Sequence, residues 1–322
     1  MPVRILMVGY GAISEHHARI LRADGAILET VVGRLPSETA RFAAEHGFRH
    51  HGTDLDAALK AWDCDAAVVA SPHAMHYEQT RLALLAGKHV LCEIPLSLSY
   101  AEGLALVALA KRQNRTLMVA HSYRFNPGLV AVRQRVGDGS LHIRHVIARS
   151  VVSRLTNVGW TGRQRSWTDD VLWHQGCHLV DCCLWLLGAQ EVEVQGSRAE
   201  VDPRTGTSLD ADVLLRTASG QLANISLSYN ARTQTSEFLI IGEEDTFHYT
   251  GGVLRNSTEV LLQAEGLSRG SQIPAWEAQD REFLAALREG RAPSMSGADA
   301  LGALSVLQQV QDRCAALRDA GT

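Results

Sequence analysis

Three polar side chains in one short stretch could carry out acid–base chemistry. His174, His178 and Asp181 lie at positions i, i+4 and i+7, so they share one face of a predicted helix. Histidine exchanges a proton close to neutral pH, which makes it a natural general base. The alternative is structural: the three could be interior polar residues of a helix that packs under a sheet.

A glycine-containing segment near the N-terminus could bind a phosphate group. Gly9 and Gly11 follow a short apolar run, and Ala12 and Ile13 come at the start of a predicted helix. Gly9 permits a tight turn and Gly11 lets the backbone approach a pyrophosphate, while the helix N-terminus offers free N–H groups. Ser14 replaces the third glycine of the dinucleotide fingerprint, so a glycine turn that serves only packing is the alternative. The strand–turn–helix context favours dinucleotide binding.

The end of the second predicted strand bears on which dinucleotide is bound. A site for NAD usually places Asp or Glu there to bind the ribose 2′-hydroxyl, whereas this chain has Gly33 and Arg34. A guanidinium group matches the oxygens of a 2′-phosphate. Glu29 lies near the start of the strand, where we expect it to be solvated. NADP is therefore the expected cofactor, with NAD as the alternative.

The elements that must position these residues change in character along the chain. The first part alternates predicted strands (Val3–Val8, Ile27–Val32, Ala66–Ala70, His89–Cys92, Thr116–Ala120) with predicted helices (Ile13–Ala23, Ser37–His46, Met75–Ala86, Tyr100–Gln113). This alternation predicts an α/β domain over residues 1–121, with a parallel sheet covered by helices on both faces.

Residues 122–322 are predicted to form a second domain of the α+β class. Its predicted strands are Leu141–Val152, Asp210–Thr217, Gln221–Tyr229, Phe238–Ile241 and Thr246–Tyr249, and its predicted helices are Asp169–Leu187, Trp276–Glu289 and Ala298–Leu317. Short turns between the strands indicate a largely antiparallel, open sheet. Such a sheet could join copies of the chain into a homodimer or homotetramer.

The composition narrows the possible partners. The chain has 322 residues and a formal net charge of −4, which gives no general positive field for nucleic acid or an anionic membrane. No apolar run approaches the ~20 residues that span a bilayer, so we expect a cytoplasmic protein.

The six cysteines are expected to be buried thiols, and His16 and His17 are expected to form a surface pair. No metal site is predicted, because the histidines and cysteines do not converge in a tetrahedral pattern.

Two motifs together resemble the Gfo/Idh/MocA oxidoreductase family over nearly the whole chain. One is the segment Gly87–Pro95, which ends in Glu93-Ile94-Pro95, and the other is the helix with His174, His178 and Asp181. The resemblance implies that the Glu-Ile-Pro loop lies beside the nicotinamide and that the helix faces it from the second domain. It also implies further cofactor-binding residues, namely Ser71, Pro72, His76 and His121.

The chain departs from the family pattern at two reactive positions. Ile94 stands where the family has its catalytic lysine, and His174 stands where it has an aspartate. A narrower resemblance fits these departures: the branch of 4-carboxy-2-hydroxymuconate-6-semialdehyde dehydrogenases also has Glu-Ile-Pro-Leu and uses NADP. The matching segments are Glu93–Leu96, Arg124–Pro127, Arg165–Asp169, Leu172–His174 and Gln279–Phe283. Segments Ser71–His76 and His121–Tyr123 differ from the branch, which leaves room for another substrate.

The resemblance implies a reaction and a role for each residue. A carboxylated semialdehyde, closed to its cyclic hemiacetal, would be oxidised to a lactone such as 2-pyrone-4,6-dicarboxylate. His178 is the expected base, Asp181 would orient it, and His174 would share a proton or hold the lactone oxygens. The expected substrate-binding residues are Arg124, Arg154, Arg165 and Trp167, each with a structural role as its alternative. Two other functions stay open: a sugar or polyol dehydrogenase of the same family, and a non-catalytic dinucleotide sensor.

Overall fold

The structure of the chain is a computed structural model that describes residues 2–156, 170–263 and 273–320, with only the backbone for 317–320. The predicted substrate-binding residues Arg165 and Trp167 lie outside the described residues. The chain divides into two compact units, Met1–Ala120 with Trp276–Leu301, and His121–Ala275 with Gly302–Thr322. Segment Trp276–Leu301, expected in the second domain, thus belongs to the first unit.

The first unit is built on a parallel sheet. Its strands are β1 (Arg4–Val8), β2 (Ile27–Val32), β3 (His50–Gly52), β4 (Ala66–Val69), β5 (His89–Cys92) and β6 (Leu117–Val119). They lie in the order β3-β2-β1-β4-β5-β6, which confirms the predicted α/β class. In this order a dinucleotide binds outside the carboxyl ends of the strands, where the order reverses between β1 and β4. The sequence does not predict β3, because it contains no apolar run.

Five helices connect these strands. They are α1 (Ala12–Ala23), α2 (Pro36–His46), α3 (Leu55–Ala61), α4 (His76–Leu85) and α5 (Tyr100–Gln113). All but α3 match predicted helices to within a residue at each end. Helix α1 starts directly after the glycine segment and buries Ala18, Ile20 and Leu21, so hydrophobic burial fixes the helix whose first turn faces the predicted phosphate site.

The second unit contains an eight-stranded sheet. The chain adds β7 (Ile143–Ser153), β8 (Val192–Arg198), β9 (Val201–Asp202), β10 (Thr207–Ser208), β11 (Asp210–Thr217), β12 (Leu222–Ser228), β13 (Asn230–Gly242), β14 (Thr246–Thr250), β15 (Val253–Arg255) and β16 (Val260–Gln263). The large sheet has the order β16-β15-β14-β13-β7-β12-β11-β8, and β9 pairs with β10. Only β7 and β12 are parallel neighbours, which confirms a largely antiparallel sheet. Along β11 buried and exposed residues alternate, so one face of the sheet is open.

The helices after β6 are α6 (Pro127–Gly137), α7 (Cys177–Leu187), α8 (Ile273–Glu289) and α9 (Leu301–Ala320). The predicted helix Asp169–Leu187 is corrected, because a π-helical turn over Leu172–Gly176 precedes α7. Asp170 starts this turn by accepting hydrogen bonds from the backbone N–H groups of Leu172, at 2.9 Å, and Trp173, at 3.2 Å. In the described part of the chain no helix is both long enough and apolar enough to cross a membrane.

The cysteines behave as small apolar residues, as the sequence predicts. All six are free and buried. Burial raises the pKa of Cys92 to about 12. A thiol with that pKa stays neutral near pH 7, so it is not an activated nucleophile.

Candidate active site

The glycine turn brings two strand ends of the first unit together. Gly9 has φ 111°, in the region that favours glycine, and its N–H donates to the Val32 carbonyl at 2.8 Å. A Cβ atom at Gly9 would lie 2.4 Å from the Ala70 carbonyl oxygen. Only glycine therefore fits between the carboxyl ends of β1 and β4.

Gly11 has a different reason to be glycine. It precedes α1 with φ −78°, which any residue adopts, and a Cβ there would meet nothing within 4 Å. The first N–H groups of α1, from Ala12 and Ile13, have no partner within the helix, and its positive dipole end points the same way. Protein packing therefore does not require Gly11, whereas a phosphate that approaches the backbone does. The local geometry fits the pyrophosphate of a dinucleotide.

The region after β2 carries one exposed cation. Arg34 is exposed two residues after the end of β2, so its side chain is available to a ligand at this end of the sheet. Glu29 was expected to be solvated, and this is wrong: it is buried, and its carboxylate lies 3.1 Å from Arg49 Nη1 and 3.6 Å from His50 Nε2. The unpredicted strand β3, with the residue before it, supplies both partners.

The loop after β5 is held by a histidine from α1. His17 is buried, and its Nε2 lies 2.9 Å from Glu93 Oε1 while its Nδ1 lies 2.8 Å from Asp280 Oδ2 on α8. The other oxygen of Glu93 accepts the N–H of Ile94 at 3.3 Å, and the Ile94 side chain is buried. The expected surface position of His17 is thus wrong. Its position three and four residues before Ile20 and Leu21, on the apolar face of α1, is a sequence signal that could have indicated an inward position.

Two carboxylates make His17 a cation. Burial by itself would lower the pKa of His17, but the charges and hydrogen bonds of Asp280 and Glu93 outweigh that effect and raise it to about 10. Because this value lies above the ordinary 6.5, the charged form stabilises the fold fully below pH 6.5. The contribution is lost as the pH rises towards about 10.

His76 joins two further loops at the same end of the sheet. It is buried, with Nδ1 2.7 Å from the Pro95 carbonyl oxygen and Nε2 2.9 Å from the Ser71 carbonyl oxygen. The residues predicted around the cofactor, Ser71, Pro72, His76 and Pro95, therefore belong to loops that His76 ties together after β4 and β5. A cis peptide bond precedes Pro95.

In the second unit, Asp181 is neutralised by an arginine. Its buried carboxylate accepts two hydrogen bonds from Arg124, Nε at 2.9 Å and Nη2 at 2.7 Å. His121 Nδ1 lies 3.4 Å from Oδ2 of the same carboxylate. Asp181 therefore pairs with Arg124 and His121 rather than reaching towards His178 as expected. The structure brings His121 into this cluster in the second unit.

His178 lies among three rings. The ring centroids of His121 and Tyr123 are 6.4 Å and 5.6 Å away, both approached edge to face, and that of His174 is 6.2 Å away. Burial raises the pKa of Tyr123, whose hydroxyl contacts Ser236 at 2.6 Å, so it stays neutral. The predicted pair His174 and His178 is therefore brought together beside the uncharged ring of Tyr123.

His174 forms a compact cluster with Arg154 and a tyrosine that the sequence did not single out. Its Nδ1 lies 2.6 Å from the Tyr229 hydroxyl and 3.0 Å from Arg154 Nη1. Arg154 also lies over the Tyr229 ring, 5.3 Å from its centroid. Because a guanidinium only donates, Nδ1 of His174 must accept, which assigns the proton to Nε2. Tyr229 lies between β12 and β13, and its carbonyl accepts the N–H of Arg154 at 2.9 Å, next to the pair Asn230 and Ser153 of β13 and β7. No local sequence pattern predicts this contact, because its partners lie far away in the sequence.

Two protein families match the chain. GFO_IDH_MocA, an oxidoreductase family with an NAD-binding Rossmann fold, matches residues 3–121, and a C-terminal family of bacterial oxidoreductases matches residues 127–260. A 4-carboxy-2-hydroxymuconate-6-semialdehyde dehydrogenase of Sphingobium sp. is 32% identical over 96% of this chain and 98% of its own. Inositol 2-dehydrogenase 2 of Paenarthrobacter aurescens is 30% identical over 96% of this chain and 95% of its own.

Solved structures share the fold over almost the full length. Levoglucosan dehydrogenase in complex with NADH and L-sorbose superposes with a TM-score of 0.86 at 19% identity, covering 98% of this chain and 97% of that one. A putative myo-inositol dehydrogenase from Sinorhizobium meliloti gives a TM-score of 0.80 at 25% identity, covering 97% of each chain. This chain therefore shares its fold with both of these dehydrogenase structures.

The two glycines of the turn predict different outcomes when each is replaced by alanine. Gly9→Ala should lower the free energy of unfolding by about 1–3 kcal/mol, because alanine is strained at positive φ and its Cβ meets a carbonyl. Gly11→Ala should change it by less than about 0.5 kcal/mol but weaken NADPH binding, since the methyl group occupies the phosphate approach. Urea unfolding and NADPH fluorescence titration measure the two effects. A Gly11→Ala variant with unchanged NADPH affinity would contradict the assignment of the phosphate site.

Proposed function

Because the chain belongs to the Gfo/Idh/MocA oxidoreductase family, we propose that it is an NADP-dependent dehydrogenase that oxidises a carboxylated semialdehyde, as its cyclic hemiacetal, to a lactone. The observation that carries the proposal is the cluster of Arg154, His174 and Tyr229 in the unit that also contains His178. It offers a cation for a carboxylate beside imidazoles that can exchange a proton. The 32% identical semialdehyde dehydrogenase supports this substrate class and a role in aromatic catabolism.

His178 is proposed as the general base. When bound, NADP⁺ supplies the acceptor for the hydride that leaves the hemiacetal carbon. The hydroxyl of that carbon loses its proton to the imidazole of His178, and the C–O bond becomes the lactone carbonyl. A base must be neutral to accept a proton. The ring of Tyr123 beside His178 is uncharged, and the charge of Asp181 on the same helix is paired with that of Arg124.

His174 is proposed as a hydrogen-bond donor rather than a second base. Its Nδ1 accepts from Arg154 and Tyr229, so its Nε2–H can donate to a ring oxygen of the substrate. The guanidinium beside it opposes a second positive charge on this imidazole. His174 would therefore hold the lactone oxygens, one of the two roles expected from the sequence.

The arginines divide into two roles. Arg154 is proposed to bind a substrate carboxylate, because a guanidinium gives two parallel hydrogen bonds to it. Arg124 is bound to Asp181 through two of its nitrogens, and we propose a positioning role for the pair in place of direct substrate contact. Arg165 and Trp167 stay proposed as substrate-binding residues on the sequence alone.

A buried isoleucine in place of lysine fits this substrate class. Ile94 is 3% exposed, and its side chain cannot exchange a proton. A hemiacetal hydroxyl is more acidic than the ordinary alcohol hydroxyl of a sugar or polyol, so we propose that one imidazole base suffices for it. The similarity to inositol 2-dehydrogenase 2 keeps a polyol dehydrogenase as the second candidate.

NADP is proposed over NAD on the position of Arg34. Its exposed guanidinium follows β2 at the carboxyl end of the parallel sheet, where the adenosine ribose binds in this fold. Buried Glu29 is held by Arg49 and His50, so its carboxylate does not serve a ribose. We also propose that the open face of the eight-stranded sheet joins copies of the chain into a homodimer or homotetramer, in the cytoplasm.

Replacing His178 tests the reaction. The wild-type protein with NADP⁺ and 4-carboxy-2-hydroxymuconate-6-semialdehyde should form NADPH and 2-pyrone-4,6-dicarboxylate, followed by nicotinamide absorbance and by chromatography. His178→Asn should lower kcat by about 10²–10⁴-fold, because no base takes the hydroxyl proton, while NADPH affinity stays unchanged. His142→Asn, an exposed histidine of the same unit, is the matched control. Faster oxidation of myo-inositol by the wild type would instead favour the polyol dehydrogenase.

Replacing Arg34 tests the cofactor. Arg34→Ala should weaken NADP⁺ binding by about 10–100-fold, because hydrogen bonds to a charged phosphate contribute about 1.5–3 kcal/mol, and leave NAD⁺ binding nearly unchanged. Arg41→Ala, which removes an exposed arginine of α2 bound to Glu38, is the matched control. Equal losses for NADP⁺ and NAD⁺ would rule out recognition of the 2′-phosphate by Arg34.

A further inference from the structure

The buried histidine of α1 contacts two other segments of the first unit. His17 bonds Glu93 in the loop after β5 and Asp280 on α8. Ionised carboxylates only accept hydrogen bonds, so both ring nitrogens must donate. A neutral histidine carries one proton and could satisfy only one of these partners.

The contact of His17 with Glu93 connects the two halves of the parallel sheet at the end where a dinucleotide binds in this fold. In the strand order of the first unit, β1–β3 and β4–β6 form two mononucleotide-binding halves. The phosphate turn leads into α1, and the second half, with the loop after β5, takes the nicotinamide mononucleotide. His17 therefore joins the helix at the phosphates to the loop Glu93–Pro95 on the nicotinamide side.

We propose that His17 is a positioning residue for hydride transfer, whose imidazolium fixes Glu93 and thereby the backbone of Ile94. The proposal rests on the proposed function only in that the chain binds a nicotinamide dinucleotide. Glu93 Oε1 binds His17 on α1, and its Oε2 accepts the Ile94 N–H in the loop. The carboxylate therefore links the backbone of the loop to α1. With Glu93 released, the loop loses its hydrogen bond to α1 and keeps the one from His76 to Pro95.

A purely structural role would have a different signature. His17→Asn leaves Asp280, with no exposed surface, without its cation, so this variant is expected to lose stability. The double variant His17→Asn/Asp280→Asn removes that buried charge and lets the two amides bond each other. Stability then recovers, but Glu93 has lost the imidazolium of His17. Stability and nicotinamide position are thereby separated, whether or not the single variant folds.

The experiment compares wild type, both variants and the control Asp24→Asn. Asp24 also joins the end of α1 to α8, through Arg281 at 3.2 Å, but that pair is exposed, so its loss should have little effect. Urea unfolding gives stability, NADPH titration gives Kd, and the fluorescence yield of bound NADPH reports how firmly the nicotinamide ring is held.

In the double variant we expect wild-type stability and a Kd for NADPH within about threefold of wild type, because the phosphate site is intact, with a clearly reduced fluorescence yield. Its kcat should fall by about 100-fold at unchanged substrate KM, since a small misplacement of a reacting ring has that effect. A double variant that regains both stability and the full fluorescence yield would overturn the proposal. The fluorescence result is decisive even if the semialdehyde is not a substrate, so a failure of the proposed reaction remains distinguishable.

Discussion

The rest of the first unit depends on one buried imidazolium. Asp280 is fully buried and Glu93 largely so, and neither carboxylate could lose water without a charged partner. His17 supplies that partner from helix α1, whose position hydrophobic burial fixes. Its hydrogen bonds join three distant parts of the sequence. Together with the Gly297 N–H, which donates to the Leu117 carbonyl at 2.7 Å, they connect Trp276–Leu301 to the rest of the first unit.

In the second unit, an arginine is the charged partner of a buried carboxylate. Asp181 is buried and accepts two hydrogen bonds from Arg124, while the imidazole of His178 lies beside the uncharged ring of Tyr123. The guanidinium of Arg154 has its Nη1 3.0 Å from Nδ1 of His174, and a cation at that distance favours the neutral form of the imidazole. Two histidines that look equivalent on a helical wheel are thus separated into a proposed proton acceptor and a proposed donor. With Ile94 at the lysine position, the proposed proton transfer relies on the second unit alone.

The fold could be predicted from the sequence because its signals are local. Alternating apolar strands and helices define the parallel sheet, and β11 shows the period of two that an open sheet requires. The glycine turn could be predicted for the same reason. The contacts of His17, Glu29 and Tyr229 could not be predicted, because their partners lie far away in the sequence. For Glu29, the partners lie on or next to β3, which has no apolar run. The π turn before α7 also left no signal, since it depends on how Asp170 is held by Arg198 and Thr207.

The most direct test is the protonation state of His17, measured by ¹⁵N NMR of histidine-labelled protein and assigned with His17→Asn. At about pH 8.5, well above the ordinary histidine pKa of ~6.5, both ring nitrogens of His17 should still carry protons. A single protonated nitrogen on His17 at that pH would contradict the account, because only one carboxylate would then have a donor.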